Sequence, residues 1–500
     1  MDKRIDLRYS STRGKDRGLT ASQAILKGLA DDGGLFMPEK IPAFDFKLKD
    51  LTSRDYKDIA YRIMRLYFTD YSEEELKECI EKAYGRKFDT NEIVPVKKVC
   101  KAYYLELFHG ETLAFKDMAL SILPHLMIAA AKKNNIKNKI AILAATSGDT
   151  GKAAMSGFAD VEGTQIIVFY PKGGVSKIQE LQMTTQKGAN VEVLAVHGNF
   201  DEAQSEVKKI FSDRELKILL AENNIRLSSA NSINIGRLVP QIVYYVYAYV
   251  RLLERGELAE GEKVNICVPT GNFGNILAAY FAKLMGLPVN KLICASNENK
   301  VLFDFFNTGA YDINRDFILT SSPSMDILIS SNFERLIYLS SGCDADKTAK
   351  LMSELYNKEI YKVSEEMRSF MSDFEGGFAA EAENMQNIRR VYEDGGYLLD
   401  THTSVASCVY QKYLNKSGDN TKTLIAATAS PYKFAGSVMK AIADVKDKDE
   451  WEIIELLRSA SKTDIPRAIL ELREAPVLHK GECDIELMEN MVKKLLGVRD

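Results

Sequence analysis

From about residue 100 onward the chain alternates short, nearly all-apolar runs with longer helical stretches, and this alternation limits the possible folds more than any other feature. The runs KIAILAAT (139 to 146), QIIVFY (165 to 170), VEVLAV (191 to 196), KVNICVPT (263 to 270), KLICAS (291 to 296) and TLIAAT (423 to 428) read as strands. Between them lie segments with helical spacing, such as IGRLVPQIVYYVYAYVRLLERG and NILAAYFAKLMG. A strand that is apolar on both faces must be covered on both, and helical crossovers supply the cover. The pattern therefore predicts parallel sheets in an α/β fold built as two doubly wound units.

Residues 1–95 break this rhythm, because charged helical stretches such as SEEELKECIEKAYG follow the irregular segment GLADDGGLFMPEKIP. They predict a mainly helical N-terminal domain. The expected division is 1–95 for that domain, 96–130 with 232–500 for a large α/β domain carrying a polar helical insertion near 300–400, and 131–231 for a small α/β domain.

Composition excludes several classes of function. Lys and Arg number 66 against 70 Asp and Glu, a formal net charge of -4, so no electrostatic footprint for nucleic acid exists. No stretch stays apolar for the roughly 18 residues that a membrane span needs, and the N-terminus has no apolar leader segment. The seven cysteines are far apart and form no CxxC pair, which fits reduced thiols; the expectation is a cytoplasmic protein. The five histidines lack HxxxH or HExxH spacing, so no metal site is expected.

Four segments carry chemistry. In HGETLAFKDMAL (109 to 120), Thr112 is placed to cap a helix from about Leu113 that is apolar on nearly every face until Pro124 kinks or ends it. A lysine buried there is disfavoured as a cation, so Lys116 becomes available as nucleophile or base. The alternative is that it pairs with Asp117 or reaches solvent. PTGNFGN (269 to 275) sits between a strand and a helix, where its glycines let N–H groups converge on a phosphate; an ordinary βα turn is the alternative. ATSGDTGKAA (145 to 154) fails the P-loop spacing but sets Thr146, Ser147, Asp149 and Thr150 at a helix start, where they can hold a carboxylate or phosphate. NSINIGR (231 to 237) places Asn231, Ser232 and Arg237 for a dianion, or caps a helix beside a solvated arginine.

A buried lysine, a phosphate turn and two anion loops in a doubly wound frame are together what a pyridoxal phosphate enzyme requires. With GLADDGGLFMPEKIP, LELFHGETLAFKD, VFYPKGGVSKIQELQMTT, SPSMDI, GYLLDTHTSV and ATASPYKF added, the chain resembles the threonine synthase family, in its longer bacterial and fungal branch, among the fold type II pyridoxal phosphate enzymes. The resemblance implies that Lys116 carries the cofactor as a Schiff base, that Gly271, Asn272, Phe273, Gly274 and Asn275 hold its phosphate, and that Thr428 faces its pyridine nitrogen. Thr146, Ser147, Asp149 and Thr150, with Asn231, Ser232 and Arg237, would take the carboxylate and phosphate of the substrate. The activity implied is conversion of O-phospho-L-homoserine and water to L-threonine and phosphate, the last step of threonine biosynthesis. Shorter relatives place Asn where Asp149 stands, and an ionised Asp cannot donate a hydrogen bond. A monomer is implied, with a dimer left open. The competing readings are another fold type II lyase, of serine/threonine dehydratase or cysteine synthase type, and a non-catalytic relative that binds a phosphorylated ligand.

Overall fold

A computed structural model describes residues 6–498 apart from Arg86 and Ser147. Each predicted apolar run is a strand, and the strands form two sheets. The larger has the order Phe374–Phe378, Val289–Ser296, Val264–Pro269, Thr423–Ala427, Ala102–Glu106, Val96–Val99. Its pairs are parallel except the last, where Val96–Val99 turns back on Ala102–Glu106. The smaller sheet runs Gly481–Asp484, Val191–His197, Thr164–Pro171, Lys139–Ala145, Ile225–Ser228 and is parallel throughout.

Burial follows the sequence pattern. Every residue of Thr164–Pro171 and of Val264–Pro269 is buried. The helices Pro240–Glu254 and Gly274–Met285 that cover the large sheet are buried around most of their circumference, as their lack of a polar stripe requires. Outer helices are amphipathic and capped: Ser72 Oγ accepts from Glu75 N, and the Glu75 side chain accepts from Ser72 N, which starts Glu73–Ala83.

The sequence boundaries are modified at three places. Strand Gly481–Asp484 pairs with Val191–His197, so this C-terminal segment lies on the small sheet, whereas the pattern assigned all of 232–500 to the large unit. Only Cys483 of the strand is buried, so no apolar run announced it. Within 300–400, read as a helical insertion, Phe374–Phe378 forms the edge strand of the large sheet. Its Gly377 is needed for close packing, since a Cβ there would lie 2.4 Å from Val409. Among the described residues before Val96, the helices Ala21–Lys27, Tyr56–Tyr67 and Glu73–Ala83 accompany one antiparallel strand pair, Tyr9–Ser11 with Phe36–Pro38. They share one continuous apolar core with residues of the large and small sheets. Tyr71 and Tyr84 seal the contact by donating to the carbonyls of Leu126 and Met118.

Candidate active site

Lys116 lies in a tight turn. The expected helix from Leu113 does not form; Leu113 adopts a left-handed conformation, φ 57°, and the helix begins at Asp117. The Asp117 carboxylate folds the turn by accepting from Thr112 N at 2.8 Å and Thr112 Oγ1 at 2.6 Å. Thr112 is thus a donor to Asp117 and caps no helix. Pro124 lies in the first turn of the next helix, Leu123–Lys133, where its missing N–H costs nothing. The turn is stitched to the segment after Thr423–Ala427: Phe115 N donates to Thr428 O at 2.8 Å, and Ser430 N to Leu113 O at 3.0 Å. This brings Thr428 beside the lysine turn.

The Lys116 side chain is 12% exposed and faces the Asp149 carboxylate at 3.4 Å and Ser324 Oγ at 3.2 Å. Asp149 opens the helix Asp149–Phe158, as GDTG predicted, and its carboxylate is surrounded. Oδ1 meets Lys433 Nζ at 3.1 Å and accepts from Gln179 Nε2 at 3.1 Å, while Oδ2 accepts from Ser324 Oγ at 2.8 Å. Burial lowers the proton affinity of Lys116, helped by Lys433 and Arg237 and opposed by Asp149. Burial alone would raise the pKa of Asp149, but Lys433 and Lys116 outweigh it and hold the carboxyl well below the ordinary range. Ser324 is itself fixed: its N–H donates to His402 Nε2 at 3.2 Å, and His402 Nδ1 faces Asp400 at 3.1 Å.

The turn PTGNFGN has the shape expected of an anion cradle. Phe273 is left-handed, φ 62°, and immediately precedes the helix Gly274–Met285. The turn's carbonyls are tied back, Gly271 O to Ser330 Oγ at 2.6 Å and Asn272 O to Asn332 N at 3.1 Å. Among the described residues, the N–H groups of Gly271 to Asn275 have no acceptor. Free N–H groups at a helix start form a phosphate site. Gly271 cannot carry a side chain, since a Cβ would lie 2.5 Å from Ser324 O. The Asn275 side chain turns away from the cradle to accept from Tyr244 OH at 2.6 Å, and its Nδ2 is buried without a partner.

Arg237 is 4% exposed, not solvated, and among the described residues it has no carboxylate partner. Its Nη1 donates to Ala230 O at 2.8 Å, and its Nε is unsatisfied. Burial pushes its pKa down to about 10. A buried cation with spare donors is a receptor for an anion. The exposed Asn231 accepts from Ser232 N at 2.6 Å, and Ser232 is half-buried. Thr146 shapes its loop, its Oγ1 accepting from Gly148 N at 3.0 Å and Gly151 N at 2.9 Å; Thr150 is half-buried in the following helix turn. Ser147 lies outside the described residues. Four groups of the site went unassigned from sequence: Ser324, Gln179, His402 and Lys433. Their segments, SPSMDI, SKIQELQMTT, GYLLDTHTSV and ASPYKF, were conspicuous, but nothing in one dimension joined them to Lys116.

Residues 8–84 match the family model "Threonine synthase N terminus", and 97–367 match "Pyridoxal-phosphate dependent enzyme". Threonine synthase of Saccharomyces cerevisiae is 35% identical, with 98% of each chain covered. The chain belongs to the threonine synthase family. Human threonine synthase-like 1 is 38% identical over 95% of the chain, which spans 66% of that protein's length. A crystal structure of pyridoxal-phosphate-bound threonine synthase from Brucella melitensis superposes with a TM-score of 0.87 at 34% identity, over 98% of this chain and 99% of that one. The α/β, fold type II architecture expected from the motifs is borne out.

Proposed function

We propose that the protein is a pyridoxal-phosphate-dependent threonine synthase, releasing phosphate from O-phospho-L-homoserine and adding water to yield L-threonine. The observation that carries this reading is the buried, unpaired Arg237 close to a lysine whose proton affinity burial has lowered. An unphosphorylated amino acid brings only its carboxylate, for which the helix start at Asp149–Phe158 is available, so Arg237 is left for a second anionic group. The donor set fits the cofactor: Lys116 for its aldehyde, the five free N–H groups of Gly271, Asn272, Phe273, Gly274 and Asn275 for its phosphate, and Thr428 for its ring nitrogen. Once bound, pyridoxal phosphate supplies an electron sink for the charge left at carbon when a proton is removed.

The chain's own residues do the rest. Lys116 Nζ, neutral when free, takes the α-proton of the substrate. Asp149 and Ser324 hold that nitrogen in place from one side. Arg237, with Asn231 and Ser232, grips the substrate phosphate, and Thr146, Ser147 and Thr150 of the neighbouring loop take its carboxylate, while Asp149, already engaged by Lys433 and Lys116, anchors the lysine instead. The buried floor of the site keeps water from the reacting carbons until it is needed.

No helix among the described residues is long and apolar enough to cross a membrane. All seven cysteines are free, as in a cytoplasmic enzyme.

The test is to measure phosphate release from O-phospho-L-homoserine beside ammonia release from L-threonine. Fast phosphate release with threonine formed is expected; dominant ammonia release would overturn the reading.

A further inference from the structure

Lys433 lies in the short turn Pro431–Phe434 that follows Thr428, and its side chain is wholly buried. Its ammonium has three acceptors: Thr112 O at 2.9 Å, Asp149 Oδ1 at 3.1 Å and Gln182 Oε1 at 3.4 Å. Lys116 has two partners only, Ser324 Oγ at 3.2 Å and the other Asp149 oxygen at 3.4 Å. Ser324 Oγ donates its hydrogen to Asp149 and accepts from the lysine, so it passes Lys116 on to the same carboxylate. One carboxylate therefore stands between two buried lysines and can neutralise only one. A buried ammonium needs an acceptor for each of its three N–H groups. Lys433 has them and Lys116 does not.

We propose that Lys433 is a positioning residue that keeps the charge of Asp149 permanently paired, so that Lys116 is the member of the trio that sheds its proton. The other charged groups around the trio act in the same sense or lie further off. Arg237 adds a second repulsive cation to Lys116, and His402 borders Asp149. Asp117 and Lys152 border Lys433 on its other side, where its Nζ donates to Thr112 O. The arrangement accounts for an aspartate at position 149: with a second cation built in beside it, the carboxylate anchors Lys116 without fixing a proton on it. The inference rests on the proposed role of Lys116 as a base.

The experiment reads the lysine directly, without turnover. The full-length chain, freed of cofactor, is exposed to trace acetic anhydride across a pH series, and acetylation of Lys116 is followed by mass spectrometry. Its rate, normalised to the high-pH plateau, reports the neutral-amine fraction. In Lys433→Gln the Asp149 charge falls wholly on Lys116, and at a given pH below the plateau that fraction should drop at least about tenfold. Lys433→Arg, which keeps the cation, should stay near the parent curve, and Asp149→Asn should move the curve the opposite way. If Lys433→Gln does not fold by circular dichroism, the paired variant Asp149→Asn with Lys433→Gln decides, since it leaves no lone buried charge. Its Lys116 should be less reactive than that of Asp149→Asn alone, because one of the two cations that repel it is gone. A Lys116 curve that ignores the loss of Lys433 in the arm that folds overturns the inference. A chain that shows the shifts yet releases no phosphate from O-phospho-L-homoserine refutes the proposed reaction and leaves this inference standing.

Discussion

The distance between the lysine turn and the GDTG helix is set by one glycine, which makes Gly157→Ala a sharp test of how the site is held. Gly157 lies near the end of the helix Asp149–Phe158, and a Cβ on it would meet Leu120 O at 2.2 Å. Leu120 ends the short helix that begins at Asp117, one residue after the lysine. A backbone carbonyl cannot rotate aside as a side chain can, so the two helices must part by about 1 Å to reach ordinary contact. Helix propensity alone favours alanine by about 0.5–1 kcal/mol. Overpacking costs about 1–3 kcal/mol, so the net effect runs from about zero to about 2.5 kcal/mol of destabilisation, toward the upper end here because the clash is with backbone. The effect on chemistry is larger. The Lys116–Asp149 contact is already 3.4 Å, and adding most of an ångström to it breaks it. Misplacement of that size costs about 100-fold in kcat/KM, or about 2.7 kcal/mol of transition-state stabilisation. The assays are phosphate release from O-phospho-L-homoserine and thermal denaturation of the same preparation, with Tm falling by a few degrees. A variant with unchanged or higher Tm and activity within about threefold of the parent would refute the reasoning, because the helix would then be free to shift without disturbing the site.

Three further outcomes are expected. Lys116→Ala should lower kcat by at least about 10⁴-fold while substrate still binds in equilibrium dialysis, since the base is lost and Arg237 is not. Arg237→Met should raise KM for the phosphorylated substrate by about 10- to 100-fold, the value of charge-assisted bonds, while Tm of the unliganded chain holds or rises as an unpaired buried charge is removed. Asp89 and Glu106 flank His109 at 2.8 and 2.9 Å and, against its burial, raise its pKa from 6.5 to about 9. A raised folded pKa gives stability that is complete below pH 6.5 and fades as pH climbs through 9. Denaturant unfolding should therefore lose up to about 3 kcal/mol across that window, and His109→Gln should remove the dependence.

What the sequence made legible was whatever is contiguous. Strands apolar on both faces read as parallel sheet because burial and periodicity are local properties, and PTGNFGN read as an anion turn because its glycines and the helix behind it adjoin. Leu113 was misread for a physical reason: apolar spacing favours helix from that point, but Asp117 accepting from Thr112 N and Oγ1 ties the segment into a turn and forces the left-handed φ. Phe374–Phe378 was hidden because its charged surroundings read as solvated helix faces, although Gly377 permits Val409 to pack against the edge of the sheet.

The least legible part of the site is its charge balance. From sequence Lys116 reads as a buried lysine with Asp117 or solvent as the alternative, and Lys433 goes unassigned. Asp149 looks like a helix-start residue. Their mutual need appears only when the strand order of the large sheet sets Thr423–Ala427 beside Ala102–Glu106, which brings the turns after both strands to one end. The small sheet then delivers Asp149 from the end of Lys139–Ala145 to the same place. Three residues over 300 positions apart at their extremes are thus joined by two parallel sheets whose strand ends converge, the usual position for a ligand in open α/β structures. Two cations around one anion would be a costly way to build a core. It is a workable way to keep one lysine ready to be neutral, because the surplus positive charge must leave from somewhere, and the least well-solvated ammonium gives it up first.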